Sequence, residues 1–275
     1  MIHIKMSSKT VIFVWTQRCC NIKTSNRENF FGIGDMIRGM IATYEICLKL
    51  QYTFHIDLQL HPLSQFLENP HHPHHSYIEQ QKDHVWFVPR EQNLEAFLTN
   101  HSQKVISIMT NAHYHSIDSA IQTKICDLFE NQKPEFRIYY TNIVKHLNLD
   151  QIPYEIIHFR LGDHFMVCNE MSPVSFDSLK KTFERYHKEK QLILSDSKPW
   201  KDYLKLHYKD TVMFDMSQIG HFGYHQDYEL IRDTLVEFLL VLNCNQIYTY
   251  SVYPWKSGFV TIPSVLKNIN IETIH

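Results

Sequence analysis

The sequence predicts two doubly wound α/β domains, residues 1–150 and 151–275, and three observations carry that expectation. Short β-branched or aromatic runs alternate with stretches of helical periodicity, the pattern of parallel strands joined by crossover helices. The series runs twice, with a change near residue 150. At 275 residues, 44% hydrophobic and 20% charged, the chain has the length for two ordinary domains and the apolar material to fill two cores.

In the first series, Val11 to Trp15 reads as a buried strand. The stretch FFGIGDMIRGMIATYEICLKL follows, with Met36, Ile37, Met40, Ile41, Tyr44, Cys47 and Leu48 at steps of three and four. That spacing predicts an amphipathic helix with glycines at its mouth. Strands are predicted at 52–58, 84–89 and 104–110, with a helix over NLEAFLT and a mostly helical stretch from Ser116 to Leu149, broken near Pro134. The second series opens with a strand at 154–160. It continues through the helix SFDSLKKTFERYHKEK, the strand QLILS, a short helix from Pro199 and a strand TVMF. The long helix DYELIRDTLVEFLLVLN, the strand QIYTY and a helix through WKSGFVTIPSVL complete it.

Charge and cysteine usage narrow the classes. With 27 basic and 29 acidic residues no global field draws the chain to nucleic acid or to an anionic membrane, so an anionic ligand has to be held locally. Cys19, Cys20, Cys47, Cys126, Cys168 and Cys244 are scattered, without a CxxC pair, as expected of reduced thiols in a cytoplasmic protein without zinc. No apolar run has the length of a membrane span or of a signal peptide, and the expectation is a soluble, non-secreted chain with no stem or anchor. The histidines of NPHHPHHSY (His71, His72, His74 and His75) are interrupted by proline, which favours an extended loop over a metal cage.

In open α/β sheets ligands bind beyond the carboxyl ends of strands. One such end reads YEIIHFRLGDHF (154–165), where His158 and Arg160 share a side by the period of two. A guanidinium fork suits a phosphate because it donates two parallel hydrogen bonds. Gly162 permits a sharp turn, and Asp163 is placed to pin the loop or Arg160. Two readings stand here: a phosphate site, or a buried Arg–Asp pair beside a packed histidine. Three further strand ends bear on the choice. LILSDSKPW ends in Ser195 and Asp196, a carboxylate able to accept from a base edge or a ribose. QIYTYSVYPWKSGF ends in Thr249, Tyr250 and Ser251 ahead of a helix, where hydroxyls and free N–H groups suit an anion. FFGIGDMIRG offers the same device in the first domain, with Gly34 at the turn and Arg38 one turn into the helix. Capping chemistry explains any one of these equally well.

Taken together, GIGDMIRG, HFRLGD, LILSDS and TYSVYPWKSGF resemble the fucosyltransferase superfamily, which has the two-domain GT-B fold and includes bacterial and plant α-fucosyltransferases and protein O-fucosyltransferases. The H-x-R-x-G-D pattern stands complete as His158, Arg160, Gly162 and Asp163. The resemblance implies two Rossmann-like domains facing across a cleft, acceptor on the N-terminal side and donor on the C-terminal side. It implies inverting, metal-independent transfer from a nucleotide sugar, GDP-fucose foremost, to a hydroxyl of a glycan or glycoconjugate, with no cofactor, no nucleic acid and no membrane span. By the same resemblance Arg160 binds the donor diphosphate, His158 lies by the nucleoside, Asp196 contacts base or ribose, and Ser251 touches a phosphate. Where the O-fucosyltransferase pattern has Gly-Asn, this chain has Gly34-Asp35, which makes Asp35 the first candidate base, with Asp163 and His164 as fallbacks. SVYPWKSGF departs from the family's serine cluster, so a UDP- or dTDP-sugar donor stays open, as does a silent sugar-nucleotide or glycan-binding protein.

Overall fold

The computed structural model describes residues 9–16, 32–68, 85–151, 153–162, 175–215 and 227–275. Asp163, His164, the His71–His75 tract, Cys19, Cys20 and Cys168 lie outside them. The chain forms two compact units, Met1–Asn131 and Gln132–His275.

In the first unit, β1 (Thr10–Val14) is followed by α1 (Ile33–Leu50), β2 (Thr53–Asp57), β3 (Trp86–Val88), α2 (Leu94–Asn100), β4 (Val105–Thr110) and α3 (Ser119–Glu130). The sheet has the order β2-β1-β4-β3 and every pairing is parallel. Val11 to Val14 are fully buried, as befits a central parallel strand covered on both faces. Helix α1 ends where Gln51 turns left-handed and the Tyr52 N–H reaches back to the Cys47 carbonyl, a C-cap that satisfies the last turn. Its midpoint packs against β4 without a side chain between them. A Cβ on Gly39 would lie 1.7 Å from the Thr110 carbonyl oxygen, so only glycine permits that approach.

The second unit runs α4 (Pro134–His146), β5 (Glu155–Arg160), α5 (Phe176–Tyr186), β6 (Leu192–Ser195), α6 (Lys198–His207), α7 (Tyr228–Leu242), β7 (Gln246–Ser251), α8 (Gly258–Lys267) and β8 (Asn270–Thr273). Its sheet has the order β6-β5-β7-β8, again wholly parallel. The division falls at 131/132 and not at 150 because α4 belongs here. The Tyr139 hydroxyl donates to Asp233 Oδ1 on α7 at 2.9 Å, and the Arg232 guanidinium lies 4.1 Å from the Tyr139 ring.

Two elements differ from the sequence reading. Of TVMF only Val212 bridges the sheet, beside Leu192, so the expected strand is a single bridge. β8 was not expected; its short, largely exposed stretch carries no long apolar run. No helix among the described residues is long and apolar enough to cross a membrane.

Strand alternation sorts the second sheet into two faces. Phe159, Leu161, Tyr248, Tyr250 and Val252 pack with Leu179, Phe183 and Trp200 of α5 and α6. His158 and Thr249 lie on the other face, where the His158 ring runs parallel to Phe259 of α8. Arg160 and Ser251 share that face by register.

Candidate functional site

In the second sheet the two neighbours of β5 are reached by connections running in opposite directions, to β6 on one side and to β7 on the other. That is the switch point at which doubly wound sheets hold ligands, beyond the carboxyl ends.

In the second unit β5 and β7 end together, with Arg160 opposite Ser251. The Arg160 Nη1 donates to Asp196 Oδ2 at 2.8 Å. The same carboxylate accepts the Leu161 N–H at 2.7 Å through Oδ1 and the Gly162 N–H at 3.1 Å through Oδ2. Asp196, nearly buried at the end of β6, thus clips the guanidinium and the turn after β5 in one geometry. Gly162 has φ 128°, where any other residue is strained, which gives the glycine of HFRLGD its physical reason. Arg160 keeps 18% of its side chain exposed, so it is positioned and still reachable.

The other expected residues take more structural places. His158 is buried within 3.0 Å of the Thr249 hydroxyl, and burial, with Arg160 second, pushes it down to about 3. It is therefore neutral at pH 7 and brings no positive charge to an anion. Ser195 Oγ accepts the Ser197 N–H, and Ser197 in turn caps α6 by accepting from Trp200. Half-buried Ser251 Oγ accepts the Tyr253 N–H at 3.2 Å, and α8, the next helix, takes its own cap from Ser257. Tyr250 lies on the opposite face, tilted against Phe159, and its hydroxyl is pushed up by burial. The structure brings Arg160, Asp196, Gly162 and Ser251 to one edge, with His158 behind them and Tyr250 apart.

In the first unit Gly32 caps α1 without a side chain, placing Gly34, buried, and Asp35 in the first turn. Asp35 is ion-paired with Arg38 one turn on, with 43% of its side chain exposed. Arg38 Nε also donates to the Asn111 carbonyl at 3.4 Å, tying the helix mouth to the end of β4. His113, in the loop after β4, is lowered by desolvation and then by Arg38 and Arg90, while Asp35 opposes the shift. Asp35, Arg38 and His113 are thus close enough to feel one another's charge.

Sequence reading missed His113 and also a buried ion pair, Lys201 Nζ to Glu237 Oε1 at 3.1 Å, with Lys201 also donating to the Phe214 carbonyl. The signal was present: one glutamate inside the apolar run DTLVEFLLVL of a buried helix requires a buried partner. Burial dominates Glu237 and pushes it upward, against the pull of Lys201. Among the described residues no group of His, Cys, Asp or Glu is arranged to hold a metal ion.

The fold, an α/β chain with two wholly parallel sheets, is similar to that of solved fucosyltransferases. The chain is similar to the fucosyltransferase NodZ from Bradyrhizobium, at TM-score 0.59 and 12% identity over 96% of this chain and 95% of that one. It is similar to NodZ α-1,6-fucosyltransferase soaked with GDP-fucose, at TM-score 0.53 and 13% identity over 96% and 95%. A variant of Arabidopsis thaliana FUT1 in complex with GDP matches at TM-score 0.51 and 10% identity, over 98% of this chain and 71% of that chain. No family model and no curated protein matches the sequence.

Proposed function

We propose that the protein is an inverting, metal-independent glycosyltransferase that moves a sugar, fucose from GDP-fucose, to a hydroxyl of a glycan or glycoconjugate. The observation that carries this reading is the Asp196-clipped Arg160 at the β5/β7 switch point, a preorganised guanidinium at the place where such sheets hold nucleotides. The structural neighbours solved with GDP and GDP-fucose supply the choice of nucleotide.

In this reading the second unit holds the donor and the first serves the acceptor. The acceptor oxygen attacks the anomeric carbon, the bond from that carbon to the β-phosphate oxygen breaks, and the diphosphate leaves with the electron pair. Negative charge grows on the diphosphate in the transition state. Fixed donors aimed there lower the barrier without needing to reorganise. Arg160 supplies the fork, and Ser251 with the first turn of α8 supplies further donors. Asp35 takes the acceptor proton, its carboxylate oriented by Arg38.

A thermal-shift panel of GDP-, UDP- and dTDP-sugars in the presence of EDTA tests the reading, since a ligand bound to the native state raises its melting temperature. A rise with GDP-fucose that survives the chelator supports it. A response confined to another nucleotide changes the donor, and no response to any removes the function.

A further inference from the structure

The loop from β7 to α8 carries an aromatic pair that the donor-binding groups leave unused. Tyr253 and Trp255 stack with centroids 5.1 Å apart and planes 8° apart. Trp255 is 63% exposed, so Tyr253 covers one side of the indole and much of the rest meets solvent. The stack is anchored to the site already described. The Tyr253 N–H donates to Ser251 Oγ, and the Arg160 guanidinium lies 6.0 Å from the Tyr253 ring centroid. The indole face is held in a fixed plane beside a positioned arginine, and its exposed apolar area is surface that a ligand seated there would bury.

We infer that the Tyr253–Trp255 pair is the wall on which the transferred sugar of the nucleotide donor packs, its C–H face against the indole. The inference rests on the reading that Arg160 holds the donor diphosphate. On that reading the sugar is bonded directly to the β-phosphate, and its ring lies one linking oxygen from the diphosphate that the guanidinium holds. The nucleobase stands a ribose further away on the other side. The loop also suits a sugar better than a base. Pro254, Trp255 and Lys256 are all exposed, so the loop forms no enclosed slot to read a base edge, whereas a sugar keeps its hydroxyls in water while its apolar face covers the ring. A 6-deoxy sugar adds a methyl group to that apolar face. Each buried carbon then contributes to affinity as transfer from water does.

Calorimetric titration of GDP and of GDP-fucose into the wild type, Trp255→Ala and Trp255→Phe tests this. Trp255→Ala is expected to bind GDP within about twofold of the wild type and GDP-fucose on the order of tenfold more weakly. Trp255→Phe, which keeps an aromatic face, restores most of the difference. Equal losses for both ligands assign the pair to the nucleotide and overturn the inference, as does no loss for either. Failure of the wild type to bind GDP and GDP-fucose alike overturns the donor reading itself, and this inference with it. An unchanged melting transition in both variants excludes misfolding as the cause.

Discussion

Asp196 reaches Arg160 from a neighbouring strand end at 2.8 Å while accepting two backbone N–H groups of the turn after β5. One carboxylate therefore fixes both the guanidinium and the loop that presents it. Asp196→Asn replaces an acceptor-only group by one that carries two donors, so at least one of the three bonds is lost. The expected cost is about 1–3 kcal/mol of stability, from buried donors left unsatisfied. Denaturant unfolding measures that cost, and titration with GDP measures the accompanying loss of affinity. A stability loss with unchanged GDP affinity reduces Asp196 to a structural clip.

Gly39 tests how closely α1 has to approach β4. Alanine is the better helix former by about 1 kcal/mol, so helix propensity alone predicts stabilisation. The Cβ at 1.7 Å from the Thr110 carbonyl oxygen predicts the opposite sign. Overpacking against backbone costs roughly 1–3 kcal/mol, and a net drop in unfolding free energy for Gly39→Ala is the expected result.

A second pair carries charge into the core. Lys201 and Glu237 have 6% and 8% of their side chains exposed. Removing one partner strands the other, and Lys201→Met is expected to cost about 3–5 kcal/mol. Lys201→Met with Glu237→Met together is expected to recover most of that loss, since an apolar pair of similar volume avoids the desolvation. Equal destabilisation in the single and double variants contradicts this account.

His158 sets a pH dependence. Its folded value is depressed to about 3 from an ordinary 6.5, chiefly by burial. Between those values the unfolded chain binds a proton that the folded chain does not, so stability rises with pH across that window and falls as pH drops below about 6.5. A shift of this size is worth about 2 kcal/mol between pH 7 and pH 5 by linkage. His158→Gln is expected to flatten the slope by that amount in urea titrations at the two pH values. His61, lowered to about 3 in the first unit, continues to titrate in both proteins.

Asp35 separates catalysis from helix electrostatics. As the base, Asp35→Asn lowers turnover by a factor on the order of 10² to 10⁴ with donor affinity nearly unchanged. As a first-turn residue that only complements the helix dipole and Arg38, it loses about 0.3–1 kcal/mol of stability and turns over normally. Transfer rate and donor affinity of this one variant decide between them.

Much of this architecture is legible in the sequence because its signals are local. The run Val11 to Val14 and the periodicity from Met36 to Leu48 each specify their element without help from elsewhere. HFRLGD announces a strand end, a guanidinium and a turn that demands glycine, and Arg160 and Gly162 occupy those places. What the sequence conceals depends on partners distant in the chain. A carboxylate on Arg160 comes from Asp196, on another strand end far along the chain, and nothing local in the sequence marks that it reaches the guanidinium. Tyr250 and Ser251 look equivalent as adjacent residues at a strand end, yet the strand period places them on opposite faces. Helix α4 reads as the tail of the first series, but Tyr139 bonds Asp233 on α7 and Tyr140 accepts from Asn243, the residue that caps the end of α7.

The most direct test of the central claim is the affinity of GDP for the wild type and for Arg160→Lys, measured by calorimetry in EDTA. Lysine keeps the charge and loses the planar fork. The account predicts that the wild type binds GDP without metal, and that the lysine variant binds it at least about tenfold more weakly with an intact melting transition. Equal affinity in the two proteins, or a wild type that binds GDP only when a divalent cation is restored, contradicts it.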